Sequence, residues 1–433
     1  MKIGIDISRY IDKSGGVGIY AANLLRFLLK IDIENKYLGY TFFYDCFPDG
    51  WNKKEDAGIF EDYYRNSNIY TNFALNNIDL STAKVRKKWA KSSIEGKEKL
   101  LGEPDIIHST AYIVPELLKA KLVVTIHDLS FLLFPDMHTE GNIKLLMQNL
   151  IYINSRPDKI ICDSEQTKKD LMRFFHVPEK KIKVIYLGVD HIFSDPVEEE
   201  NRDIILSRYD LIGLNYILTV ASIEPRKNFE RIIKVFGEII QNEKHKDLIL
   251  VCAGGAGWKN ESIHELVKDR GLEERVKFLG YVEEADLPSI YNGAKFFMYP
   301  SLYEGFGLPV LEAMASKVPV LTSNVSSLPE VAGDGALMVD PYSEKEIYDA
   351  SIRLLEDDIL RKELQLKGVE RSNLFTWENT AFKTLEVYTE VMEKMPPFLE
   401  LRGSVKVPDE VKNLSWKEIK EKASQIMAQE ADK

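Results

Sequence analysis

A chain of 433 residues, 45% of them hydrophobic, is long enough for two or three ordinary cores. Its formal net charge of −11 excludes a general nucleic-acid binder, which needs a basic face against phosphate. Three cysteines, Cys46, Cys162 and Cys252, lie far apart with no CxxC pair, so neither a disulfide framework nor a zinc site is expected and a reducing cytoplasm fits.

The chain opens directly on a strand, Lys2–Ile3–Gly4–Ile5–Asp6–Ile7, with no apolar leader. No run approaches the ~18 apolar residues of a membrane span, so the expectation is a soluble protein, at most attached to a surface. After Ile7–Ser8–Arg9, the run Ser14–Gly15–Gly16–Val17–Gly18 opens a helix carrying Ala22, Leu24, Leu25, Phe27, Leu28 and Leu29. Gly16-X-Gly18-X-X-Ala21 has the form of a dinucleotide fingerprint. A true fingerprint joins its strand directly, whereas about eight residues intervene here, which disfavours a nicotinamide-dependent oxidoreductase. A helix-entry turn is the plainer reading.

From about Thr41 to Gly102 the pattern is hard to read: aromatic at Phe42–Phe43–Tyr44 and Tyr63–Tyr64, then basic at Lys84, Arg86, Lys87, Lys88 and Lys91 beside Trp89. That basic segment suits a solvated helix face, which its sparse apolar side favours, or contact with anionic lipid headgroups. Asp105–Ile106–Ile107–His108 and Leu122–Val123–Val124–Thr125–Ile126 read as consecutive parallel strands, the second running into His127. His127 is the stronger candidate, because strand carboxyl ends line ligand crevices and a histidine there can donate to a hydroxyl or to developing charge. His108 and Tyr112 read equally well as acceptor contacts or as strand-end packing. Lys159–Ile160–Ile161–Cys162 is a buried strand, and Ser164 caps a helix holding Leu171, Met172, Phe174 and Phe175. Lys183–Leu187 closes this first domain. Asp195–Pro196 and Glu198–Glu199–Glu200 mark an exposed connector, which places the domain boundary near residues 190–210.

The second half repeats the alternation, with strands at Tyr216–Ala221, Leu248–Ala253, Val276–Leu279, Ala294–Tyr299 and Val318–Thr322, and predicts a doubly wound parallel sheet. Glu224–Pro225–Arg226–Lys227–Asn228 follows the first of these strands, and a planar guanidinium and an ammonium at a strand end both suit phosphate oxygens. Phe296–Phe297–Met298–Tyr299 leads through a loop with Gly305 and Gly307 into a helix started by Pro309. Glu304 lies in the loop and Glu312 one turn into the helix; near a helix N-terminus both are expected to be ionised, each able to accept from a vicinal diol. Two diols joined by a diphosphate describe a nucleotide sugar.

Glu304 and Glu312 form a Glu-X7-Glu pattern. With Arg226–Lys227, Gly15–Gly16–Val17–Gly18, His127–Asp128–Leu129–Ser130, Asp163–Ser164–Glu165–Gln166–Thr167 and Leu187–Gly188–Val189–Asp190, the chain resembles the retaining nucleotide-sugar glycosyltransferases of the GT-B type, glycosyltransferase family four. The resemblance runs to about Met395. It implies two Rossmann-like doubly wound α/β domains facing across a cleft: residues 1–195 on the acceptor side, completed by a crossover helix at about 375–395, and residues 210–374 on the donor side. It further implies that His127 contacts the donor sugar, Glu304 holds the hexose and Glu312 the ribose, and Arg226 and Lys227 meet the diphosphate. Gly305, Phe306, Gly307 and Leu308 offer backbone amides, Gly15 and Gly16 approach the diphosphate, and the backbone at Val282 meets the base.

No Asp-X-Asp occurs in the chain, so a metal-bridged diphosphate is not indicated and no metal or other cofactor is expected. The Glu224–Asn228 and His127–Ser130 variants look like bacterial mannosyl transferases of surface polysaccharide, which favours GDP-mannose over a UDP-sugar and a glycan or lipid-linked acceptor. A same-fold sugar-nucleotide epimerase is the closest rival. A non-catalytic binding protein would be expected to lack one of Arg226, Lys227, Glu304 or Glu312. Beyond Pro396–Pro397, Ser415 with Glu418 forms a capping box before the apolar stripe Trp416, Ile419, Ala423 and Ile426, a tail helix suited to docking on the body or on a second copy in a homo-oligomer.

Overall fold

The computed structural model describes residues 1–8, 15–40, 72–76, 82–257 and 261–393. The aromatic stretches at 42–44 and 63–64, the side chains of Lys84, Val85 and Arg86, and the tail helix expected at 415–426 lie outside the described residues. The chain divides into two compact units, the first from Met1–Pro135, Glu140–Leu187 and the segment beginning at Trp377, the second from Asp136–Thr139 and Gly188–Thr376. Among the described residues no helix is long and apolar enough to cross a membrane.

The first unit holds a seven-stranded sheet of β1 (Lys2–Asp6), β2 (Lys36–Tyr40), β3 (Phe73–Leu75), β4 (Ile106–Ser109), β5 (Lys121–Ile126), β6 (Lys159–Cys162) and β7 (Ile182–Val184), in the order β3-β2-β1-β4-β5-β6-β7. Every pairing is parallel. Central strands covered on both faces are mostly apolar, and β4, β5 and β6 are buried along nearly their whole length. The helix Trp377–Glu393 packs against the helix Gly15–Ile31. It begins at Trp377, and Trp377, Thr380 and Ala381 are buried in its first turns.

Trp89 overturns the lipid-facing reading of its own ring. It is buried in the core with Tyr40, Leu101 and Ile107, and is unavailable to headgroups. His108 likewise takes the packing role: it is wholly buried, with Nδ1 2.7 Å from the Tyr388 hydroxyl and Nε2 2.8 Å from Thr125 Oγ1. Tyr112 accepts from the Asp128 amide at 2.9 Å.

The second unit has six parallel strands, β8 (Tyr216–Val220), β9 (Ile249–Ala253), β10 (Val276–Gly280), β11 (Phe296–Tyr299), β12 (Val320–Ser323) and β13 (Ala336–Val339), ordered β10-β9-β8-β11-β12-β13. The winding runs one way from β8 and the other way from β11, so the switch point falls between these neighbours. The helix Phe229–Ile239 buries Phe229, Ile232, Ile233, Val235, Phe236 and Ile239, a helical stripe worth about 1.5–3 kcal/mol per fully buried side chain. Behind β9, Gly254 has φ +141°, and a Cβ there would lie 2.1 Å from the Ala221 carbonyl oxygen. Close approach of two backbones therefore accounts for this glycine.

Candidate active site

In an open α/β sheet the carboxyl ends of the strands flanking a switch point leave a crevice, and Arg226–Lys227 after β8 and Glu304 after β11 stand there. The pairing of Phe297 with Leu218 sets the two loops side by side, and the Leu302 amide bonds the Arg226 carbonyl at 2.9 Å. Asn228 holds this crossing: with φ +64° it turns the chain, while its Nδ2 donates to the carbonyls of Pro300 (2.9 Å) and Pro341 (2.8 Å).

Glu304 is the hub. Its Oε1 accepts from Lys227 Nζ at 2.7 Å, from the Tyr299 hydroxyl at 2.8 Å and from Ser301 Oγ at 2.5 Å. Its Oε2 accepts from Arg226 Nη1 at 2.8 Å. Arg226 also donates to the Tyr303 carbonyl and to Glu224 Oε1, each at 2.7 Å. Glu304 is only 6% exposed, and burial alone would raise its carboxyl; the Arg226 and Lys227 charges and their hydrogen bonds outweigh that and hold it at about 2. Burial and the neighbouring guanidinium push the Lys227 ammonium below its ordinary value, against the pull of Glu304.

Glu312 departs from the expectation that both glutamates are ionised. It is the fifth residue of the helix Leu308–Ala315, beyond the turn where amide charge is felt, and among the described residues no cation is bonded to it. Burial raises its carboxyl to about 7; the Tyr291 hydroxyl, donating at 3.0 Å, opposes this, while Glu284 and Asp190 add to it. Gly307, at φ +125°, caps that helix, and a Cβ there would press on Leu328 Cδ2 at 2.9 Å. Ser327 Oγ donates its one hydrogen to the Phe306 carbonyl at 2.6 Å, with the Glu304 carbonyl also within 3.0 Å, and shapes the Gly305–Leu308 loop. Val282 follows the edge strand β10 and is buried, two strands from the Arg226 loop.

In the first unit His127 follows β5 and Asp163 follows β6, directly after the paired residues Ile126 and Cys162. His127 Nδ1 lies 2.6 Å from Asp163 Oδ2, and Nε2 lies 2.7 Å from the Thr110 carbonyl. Both ring nitrogens are thus engaged by the protein. Gly15 begins its helix at φ +56° with an exposed surface, and Gly16 follows it, also exposed. Among the described residues no group of three or more His, Cys, Asp or Glu is placed to hold a metal ion. Reading the sequence alone passed over Glu224, Tyr299, Ser301, Tyr291 and Asp163 as site residues. Asp163 and Glu224 carried a signal, as members of the motifs Asp163–Thr167 and Glu224–Asn228.

A family model for glycosyl transferases group 1 matches residues 211–371, and one for glycosyltransferase family 4 matches residues 14–192. An O-antigen chain mannosyltransferase B from Escherichia coli is 33% identical over 65% of this chain and 74% of its own length. The chain belongs to the group 1, family four glycosyltransferases. Glycosyltransferases of this family use a nucleotide sugar as substrate. The E. coli serotype-specific mannosyltransferase WbdA is 29% identical over 67% of this chain, and the chain spans only 37% of that relative. A solved sucrose-phosphate synthase from Thermosynechococcus elongatus superimposes with a TM-score of 0.70 at 20% identity, covering 91% of this chain and 100% of its own, a likeness of fold.

Proposed function

We propose that this glycosyltransferase moves a mannosyl residue, with retention of configuration, from GDP-mannose to a glycan or lipid-linked acceptor in the cytoplasmic stages of surface-polysaccharide synthesis. The observation that carries the reading is the cluster of Arg226 and Lys227 around the buried Glu304 at the switch point of the second sheet. An ammonium has three donors, and Lys227 uses two, on Tyr299 and Glu304; the third serves a donor phosphate. Arg226 and Lys227 then meet the charge that develops on the leaving diphosphate. Glu304 Oε1 is saturated by three donors, so the hexose hydroxyl is assigned to Oε2, which holds one. Glu312 takes the ribose, the Gly305–Leu308 amides and the Val282 backbone take donor and base, and His127, Gly15 and Gly16 are assigned to the donor by their motifs. The mannosyl assignment follows the two E. coli relatives named above.

A thermal-shift panel of GDP, UDP, GDP-mannose and UDP-sugars, followed by product analysis, tests this. A ligand at 100 times its Kd stabilises by about 2.7 kcal/mol, so the guanine ligands should give the larger rise in Tm. Stabilisation by uridine ligands alone would replace GDP-mannose by a UDP-sugar donor, and donor conversion without any acceptor would favour the epimerase.

A further inference from the structure

The Thr110 carbonyl can only accept, so His127 Nε2 must carry a hydrogen across its 2.7 Å contact. One further proton lies on the 2.6 Å axis between Nδ1 and Asp163 Oδ2. The Asp163 side chain is 3% exposed, and its second oxygen, Oδ1, has no hydrogen-bond partner among the described residues. A buried, half-satisfied carboxylate is costly unless a cation compensates it, and the imidazole is the titratable base in contact with it. The segment after Asp163 also holds the histidine by its backbone: Thr167 Oγ1 donates to the His127 carbonyl at 3.0 Å, and Ser164 Oγ accepts from the Thr167 amide at 3.0 Å.

We propose that Asp163 is a positioning residue for His127, holding the ring as an imidazolium in one orientation at the carboxyl end of β5, where it acts as a fixed positive charge instead of a mobile proton donor. This rests on the reading of His127 as a donor-side residue. The groups that face the ring from the surrounding elements are compatible with it. Tyr20 meets it edge-on at 5.0 Å and Tyr112 at 5.7 Å, and burial drives the Tyr20 phenol far above its usual range, so it stays neutral. His108 is pushed down to about 3 by burial and by His127 itself, and is neutral too. Asp128 adds negative charge from the next position while accepting from Ser130. Burial opposes the charge on His127 and lifts the Asp163 carboxyl above its ordinary value, but the attraction between the two and the Thr110 carbonyl raise the imidazole above its ordinary value as well, and the hydrogen that Thr110 requires on Nε2 leaves Nδ1 as the base facing the carboxylate.

The test is the pH profile of transfer by the full chain, wild type against Asp163→Asn, which keeps the shape and an acceptor oxygen but removes the charge. The alkaline limb of kcat is expected to move to lower pH by about one unit or more, with kcat at pH 8 falling about tenfold per unit and recovering at low pH, while the donor KM changes little. Superimposable profiles would overturn the proposal. Because Asp163→Asn could fail to fold, nitrogen NMR of wild type labelled at histidine gives a second reading: both His127 ring nitrogens should be protonated at pH 8, and a neutral ring there would overturn it. His127→Gln separates the two inferences, since full activity in that variant removes His127 from the site whatever Asp163 does.

Discussion

At the end of the second sheet Glu304 shares four donors from four side chains, whereas at the end of the first sheet the Asp163 carboxylate makes one hydrogen bond among the described residues, to His127. Both are buried carboxylates beside a cation on the neighbouring strand. The difference lies in redundancy. With a guanidinium, an ammonium and two hydroxyl donors on it, the Glu304 carboxyl is held at about 2 and stays ionised across the physiological range. Asp163 faces a base that can lose its proton, so that pair is the one able to respond to pH. Even within the Glu-X7-Glu pattern the rule holds: Glu312, with a tyrosine and no bonded cation, sits near neutrality.

The largest break in this comparison should come from Arg226→Ala. It strands Glu224 and Glu304 with one cation between them, so transfer should fall by about a thousandfold or more. Removing one partner of a buried pair also costs about 3–5 kcal/mol, visible as a lower urea midpoint. An unchanged midpoint would mean that the cluster is not held as described.

A second, intermediate effect separates the two glutamates by the sign of their pH dependence. Glu304 is lowered from 4.5 to about 2, so its contribution is present above pH 4.5 and is lost as pH falls toward 2. Glu312 is raised from 4.5 to about 7, so the folded chain binds a proton that the unfolded chain releases, and stability falls as pH rises between these values, by on the order of 3 kcal/mol. Urea unfolding of Glu312→Gln across pH 4.5–7 should lack that fall, and Glu304→Gln should lack the loss below pH 4.5. The same slope in wild type and Glu312→Gln would place the titration elsewhere.

The smallest effect sharpens the contrast from the other side. Lys30 and Glu378 pair at 3.3 Å between the helices Gly15–Ile31 and Trp377–Glu393, with both side chains more than half exposed. Lys30→Ala should change stability by no more than about 1 kcal/mol, less still at high salt.

Much of the fold is legible because buried parallel strands are continuous apolar runs, as in Phe296–Phe297–Met298–Tyr299. The strands that escape reading lack that signature. β2 is Lys-Tyr-Leu-Gly-Tyr, with a lysine and a glycine in five residues; β3 has three residues; and β13 is an edge strand with Leu337 and Met338 not fully buried. Of the site, Arg226, Lys227 and Glu304 are visible as charges in the loops after apolar strands, and Glu312 as a charge inside an apolar helix. Tyr299 and Ser301 are invisible, since a tyrosine ending a strand and a serine in a loop are ordinary until their hydroxyls are found on Glu304.

The sequence alone determined the alternation of strands and helices, the two parallel sheets it implies, and the family to which the motifs belong, because each of these is written in residues close along the chain. Tertiary structure decided which carboxylate is ionised, which histidine is packing and which is held by an acid, and that Trp89 faces inward. Those outcomes depend on partners 77 residues apart for Lys227 and Glu304, and 36 apart for His127 and Asp163, brought together by strand order and register. A pKa is set by the neighbours that folding supplies, and no local pattern contains them.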